Sequence, residues 1–87
     1  MNRKHRKIVD AVFTVPTLAS IKFADLEKLL TSLGAEKMEG RGSRVAFVTA
    51  SGNKWEAHRP HPGEEAKKYQ IESVRDFVAT LLESKNE

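Results

Sequence analysis

Apolar positions recur along this chain with two different periods, and the changes of period divide it into elements. Over residues 23–33 the residues Phe23, Leu26, Leu29, Leu30 and Leu33 fall three and four apart, the spacing of one face of an α-helix. Asp25 sits in the first turn, where the helix dipole favours an acid, and Gly34 follows as the stop. A second helical stripe, Ile71, Val74, Phe77, Val78 and Leu81, predicts a helix over residues 71–82. A third places Ile8, Val9, Val12 and Phe13 on one side of an amino-terminal helix over about residues 3–13.

Between these stripes the period drops to two. SRVAFVTA is rich in β-branched and aromatic residues, KWEAH alternates, and Ser51-Gly52-Asn53 between them reads as a turn. A weaker strand covers AEKMEG. The order helix, helix, three antiparallel strands, helix predicts an α+β domain with its helices on one sheet face. There is no repeat and no linker, so residues 1–87 read as one domain with a core over about 21–82.

Register follows from the turn. A three-residue loop at Ser51-Gly52-Asn53 pairs Phe47 with Ala57 and Thr49 with Trp55, keeping apolar groups on one face. It sets Arg44 opposite Pro60 and Ser43 opposite His61, with Arg44, Ala46 and His58 together on the solvent face. GRGSR and HRPHP then meet at one end of the sheet as a single site.

Composition narrows the class. The 87 residues include no cysteine, so neither disulfides nor thiolate metal sites are available, which fits a reducing cytoplasm. The charged start MNRKHRK followed by apolar residues imitates a secretory leader. Asp10 interrupts that run and Pro16 closes it, so a basic amphipathic helix is the better reading. No apolar stretch is long enough to cross a bilayer, and no membrane role is expected. The net charge is +3, clustered in Arg3, Lys4, Arg6 and Lys7, in Arg41, Arg44 and Arg59, and in Lys67 and Lys68. Such clusters suit a polyanion such as nucleic acid, or simply form a solvated basic surface.

The candidate chemistry lies where the two motifs meet. The glycine turn Gly40-Arg41-Gly42-Ser43 offers backbone N–H groups to an anion, with Arg41, Arg44 and Arg59 beside it. Histidine as a residue type can accept and return a proton near neutrality, which makes His58 and His61 candidates for proton transfer, while arginine holds phosphate through two hydrogen bonds. That combination suits RNA cleavage, in which the 2′-hydroxyl attacks its neighbouring phosphate. Zinc would need three or four ligands, and no cysteine or third nearby histidine completes a set, so no metal or cofactor is expected. His5 reads as a surface residue of the basic helix. The plain alternative is a strand that ends in polar residues at Pro60.

The run FADLEKLLTSLGAEKMEGRGSRVAF…RPHPG…IESVRDFVATLL resembles the HicA family of toxins from bacterial toxin–antitoxin pairs, over about residues 21–82. The resemblance implies a fold like that of double-stranded-RNA-binding domains, cleavage of messenger RNA without metal, and neutralisation by a HicB antitoxin. Gly42, Ser43 and Phe47 match the family motif, as do His61, Pro62 and Gly63. Arg44 stands where the family commonly carries its catalytic histidine.

Three readings follow. Proton transfer has moved to His61 or His58, with Arg44 as the third catalytic residue turned to phosphate stabilisation and Arg41, Gly42, Ser43, Arg59, Lys67 and Lys68 holding RNA; or the chain binds RNA without cutting it; or it is a degenerate toxin acting through protein contact. The family match puts His61 first for the proton, and strand phase puts His58 next. Ala46 and Val48, small apolar groups on the solvent face, predict a cover there: the antitoxin, a second copy, or the amino-terminal helix.

Overall fold

The computed structural model describes residues 1–85. Its elements are α1 (Arg3–Val12), α2 (Phe23–Ser32), β1 (Glu36–Glu39), β2 (Arg44–Val48), β3 (Lys54–His58) and α3 (Lys68–Lys85). The strands form one antiparallel sheet in the order β1-β2-β3. The expected α+β layout is present, with an additional helix before the core.

Both long stripes face inward as their spacing requires. Phe23, Leu26, Leu29 and Leu30 from α2 with Leu33 at its C-cap, and Ile71, Val74, Phe77, Val78 and Leu81 from α3, are buried with Val45, Phe47 and Trp55 from the sheet. Burying a side chain of this size contributes about 1.5–3 kcal/mol, so this cluster dominates the stability of so short a chain. Trp55 joins the layers: its ring stacks 6.2 Å from both Phe23 and Phe47, and its indole N–H donates to Ser73 Oγ of α3 at 3.0 Å. Helix α2 ends at the predicted stop, where Gly34 takes φ +107°, a left-handed conformation that favours glycine.

Helix α1 starts on Asn2, whose side chain accepts from the His5 N–H at 2.8 Å. It packs on α2 and α3, with Val12 buried and Ile8 and Val9 half-buried. Phe13 departs from the expected stripe. The helix stops at Val12, Phe13 turns out of helical phase at φ −92° and ψ 2°, and its ring is exposed. Because α1 lies with the other helices, it is not the cover for Ala46 and Val48.

The hairpin register differs from the expected one by two residues. Phe47 pairs with Trp55, Val45 with Ala57, and Arg44 with His58 rather than Pro60. Alternation in the sequence restricts which face a residue takes, and a shift of two leaves every face unchanged. The turn makes the choice. The Gly52 N–H donates to the Thr49 carbonyl at 3.0 Å and the Thr49 N–H to the Asn53 carbonyl at 2.9 Å, so the three-residue loop is Ala50-Ser51-Gly52, one residue earlier, which moves every pairing by two. Ser43 accordingly meets Arg59 instead of His61: the Arg59 N–H donates to the Ser43 carbonyl at 2.8 Å.

Candidate nucleic-acid interface and catalytic cluster

The sheet has an inner and an open face. On the open face stand Glu36, Met38 and Gly40, then Val48, Ala46 and Arg44, then Lys54, Glu56 and His58, in three matched rows. At the end carrying Arg44 and His58, the β1–β2 hairpin turns through residues 40–43. The Gly40 N–H donates to the Arg44 carbonyl at 2.9 Å, and a Cβ on residue 40 would stand 2.9 Å from the Arg44 Cβ, so only glycine fits beside this arginine. Gly42 turns the chain at φ +60°.

This turn presents Ser43 to the neighbouring strand. Ser43 Oγ lies 3.3 Å from His58 Nδ1, with the donor set by the imidazole tautomer. The His58 backbone is held from beneath: its carbonyl accepts from Gln70 Nε2 at 2.8 Å, while Gln70 Oε1 accepts the Lys67 N–H at 2.9 Å. Gln70 is a buried polar residue with both ends of its amide bonded, and it fixes the start of α3 against the end of β3. Arg44, Glu56, Ala57 and His58 line one hollow on the open face. Arg44 Nη2 is 3.3 Å from Glu56 Oε2 there, and Lys54 Nζ reaches Glu56 Oε1 from beside the hollow at 3.0 Å. Hydrogen bonds from Lys54 and then from Arg44 hold the Glu56 carboxyl below the usual carboxylate range.

Among the residues expected to hold RNA, the structure separates Arg59 from the rest. Its guanidinium turns to the helix side of the sheet and donates to Glu27 from Nε and Nη2, each at 2.9 Å, and to Glu39 from Nη1 at 2.8 Å and Nη2 at 3.1 Å. Hydrogen bonding to Glu27 first, and to Glu39 second, raises its already high pKa further. The fork that would grip a phosphate is taken by two carboxylates, so Arg59 binds the fold together instead. Arg41, Gly42, Ser43, Lys67 and Lys68 are exposed. His61 is exposed in the segment after β3, with no side-chain hydrogen bond among the described residues. It lies three residues beyond His58, hence within about 10 Å along the chain.

That segment is fastened to α2. The Phe23 N–H donates to the Glu64 carbonyl at 2.9 Å, the Ala66 N–H to the Ile21 carbonyl at 2.7 Å, and Lys22 bridges to Glu65. Two more residues that pattern reasoning passed over complete the frame. Glu27 falls in the apolar stripe of α2, four after Phe23 and three before Leu30, and Gln70 falls in that of α3, four before Val74. A polar residue in an apolar phase is a sequence signal for a buried partner, and both have one.

Among the described residues, no group of three or more His, Cys, Asp or Glu is placed to hold a metal ion, and no helix is long and apolar enough to cross a membrane. A family model described as the HicA toxin of bacterial toxin–antitoxin pairs matches residues 23–81, from the start of α2 to the last buried leucine of α3. The chain belongs to the HicA toxin family. It is a toxin of a toxin–antitoxin pair, and an antitoxin is its partner. Its core order, helix, three antiparallel strands, helix, is the layout expected from the likeness to double-stranded-RNA-binding domains. The matched region leaves out α1. Nothing among curated proteins or solved structures matches the chain.

Proposed function

We propose that this toxin is an endoribonuclease that cleaves messenger RNA by attack of the 2′-hydroxyl on the adjacent phosphate, with no metal required. One observation carries the reading. His58 lies against Ser43 of the glycine turn, directly across from Arg44, the position where the family resemblance sets a histidine. The imidazole has therefore moved one strand over while keeping its place at the same end of the sheet. A base exchanged between paired strands shifts by about 5 Å, a distance that side-chain length can recover.

In this reading His58 moves a proton, and Arg44 holds the phosphate and offsets the charge that builds up on it. Exposed Arg41, Lys67 and Lys68 and the N–H groups of Gly42 and Ser43 hold the flanking backbone. His61 matches the family segment and reaches the same end of the sheet, but His58 has the fixed partner and the place beside Arg44. The partner that silences the toxin is a HicB-type antitoxin, and the open sheet face with Ala46 and Val48 is where it covers the site.

The test is RNA digestion by the purified toxin in excess chelator. Cleavage is expected to persist, to leave 2′,3′-cyclic phosphate ends, and to spare DNA of the same sequence, which lacks the nucleophile. His58→Ala is expected to slow cleavage roughly 10²–10⁴-fold while RNA binding is kept. Loss of cleavage in chelator, or full activity in His58→Ala, defeats the reading; RNA binding without any cleavage turns it into that of a non-catalytic RNA-binding module.

A further inference from the structure

Transesterification needs two proton transfers on opposite sides of one phosphate: one off the 2′-hydroxyl and one onto the departing 5′-oxygen. A single imidazole serves one of them at a time. The hollow at the end of the open face holds a second group with the right chemistry. Glu56 is two residues before His58 on β3, so both side chains rise from the same face. Their Cα atoms are about 7 Å apart at strand rise, which leaves room for a phosphate with a hydrogen bond of roughly 2.8 Å on each side. Arg44 is paired with His58 through the backbone and with Glu56 through its guanidinium, so it stands where that phosphate would lie.

We infer that Glu56 is a catalytic residue, the base that takes the 2′-hydroxyl proton, with His58 the acid that protonates the leaving oxygen and Arg44 between them on the phosphate. This rests on the RNA-cleaving reading above. The step balances without any further reactant. The 2′-oxygen loses its proton to the Glu56 carboxylate and forms a bond to phosphorus. The bond from phosphorus to the 5′-oxygen breaks, its electron pair stays on that oxygen, and the oxygen takes a proton from the His58 imidazolium. The products are a 2′,3′-cyclic phosphate and a 5′-hydroxyl, with nothing oxidised or reduced.

The free toxin also shows how the base is kept ready. Among the described residues, Glu56 is the only carboxylate lining the hollow, and it is held ionised by Lys54 and Arg44. The charged groups facing it are Arg44 from β2 and Lys54 and His58 from its own strand. A phosphate entering the hollow competes with Glu56 for Arg44. Losing that hydrogen bond frees a carboxylate oxygen and makes it a stronger base at the moment substrate arrives. A DNA strand would free the carboxylate in the same way and offer it no hydroxyl.

The experiment compares the full chain with Glu56→Gln and His58→Ala on two RNA substrates, one ordinary and one with sulfur in place of the bridging 5′-oxygen at the cut site. A thiolate leaves without a proton, so the sulfur substrate bypasses the acid alone. His58→Ala is expected to lose roughly 10²–10⁴-fold on ordinary RNA and to recover on the sulfur substrate, whereas Glu56→Gln loses as much on both. The acidic limb of kcat/KM, placed below pH 4.5 by the depressed Glu56 carboxyl, is expected to vanish in Glu56→Gln. A glutamate that only positions Arg44 would be largely replaced by glutamine, whose amide oxygen still accepts from Arg44, so that variant would keep most of its rate on both substrates. Glu56→Gln cleaving like the parent, or recovering on the sulfur substrate, overturns the assignment and leaves the ribonuclease reading standing; a parent chain that cuts neither RNA brings down both. Thermal melts of both variants, expected to match the parent, together with RNA binding unchanged in His58→Ala and no weaker in Glu56→Gln, show that the losses are chemical.

Discussion

Arg44 and Arg59 stand at the same end of the same strand pair, and either would pass for a phosphate ligand in the sequence. Arg59 turns inward, its side chain 32% exposed, onto a Glu27 side chain only 10% exposed. Arg44 turns outward, 60% exposed, onto a Glu56 that is itself 48% exposed. One arginine makes four hydrogen bonds to two carboxylates, the other a single bond to one. A partly buried network exists to be kept, because losing Arg59 would strand the buried Glu27 carboxylate away from water. An exposed single contact is worth little and exchanges readily with another anion. The difference separates the residue that holds the site together from the residue free to work in it.

Arg59→Ala should break this contrast most severely. It leaves Glu27 with Lys37 at 3.6 Å as its remaining cation and frees the end of β3 from α2. A loss of about 1.5–3 kcal/mol is expected, the range for hydrogen bonds to a charged group, read as a fall in the urea midpoint. A change under 1 kcal/mol would show that the network is only a surface ornament.

Arg44→Ala should act in the opposite sense. Its loss should alter stability by less than about 1 kcal/mol, as for other exposed pairs, while RNA cleavage falls. The slope of log binding constant against log salt should become shallower by about 0.7–0.9, one phosphate contact fewer. An unchanged slope would place Arg44 off the RNA path.

Acid sharpens the comparison with the smallest effect. Hydrogen bonds to Arg59, first of all, lower the Glu39 carboxyl below its ordinary 4.5, and those to Lys54 and Arg44 lower that of Glu56. A depressed carboxylate lends stability that is fully present above its unfolded value and is lost as pH falls through the folded one. Stability measured from pH 6 downward should therefore decline below about 4.5, and less so in Arg59→Ala, where Glu39 has lost the partner that depresses it. An equal decline in both would detach Glu39 from Arg59.

The helices, the strands and the inward stripes were legible because each is a local pattern repeated many times. Ten apolar positions in α2 and α3 vote for the same two faces, and all ten are buried. Phe13 was misjudged where that vote thins, one residue past the last turn of α1. The meeting of the glycine turn with the histidine segment was legible too, since two strands joined by a short turn must bring their far ends together. Its register was not, because alternation is blind to a shift of two and the hydrogen bonds of the Thr49–Asn53 loop decide it.

What the sequence by itself determined is therefore the set of elements, the family, and the end of the sheet on which basic and titratable residues gather. Only the tertiary structure decided which of those residues face out. Arg59 is drawn inward by Glu27, a charge buried on α2 that needs a counter-ion from a strand 32 residues away. Glu56 looked like an ordinary outward residue of an alternating strand until Arg44 was set beside it from the neighbouring one. Burial and cross-strand pairing are properties of two segments at once, and no reading along a single segment contains them.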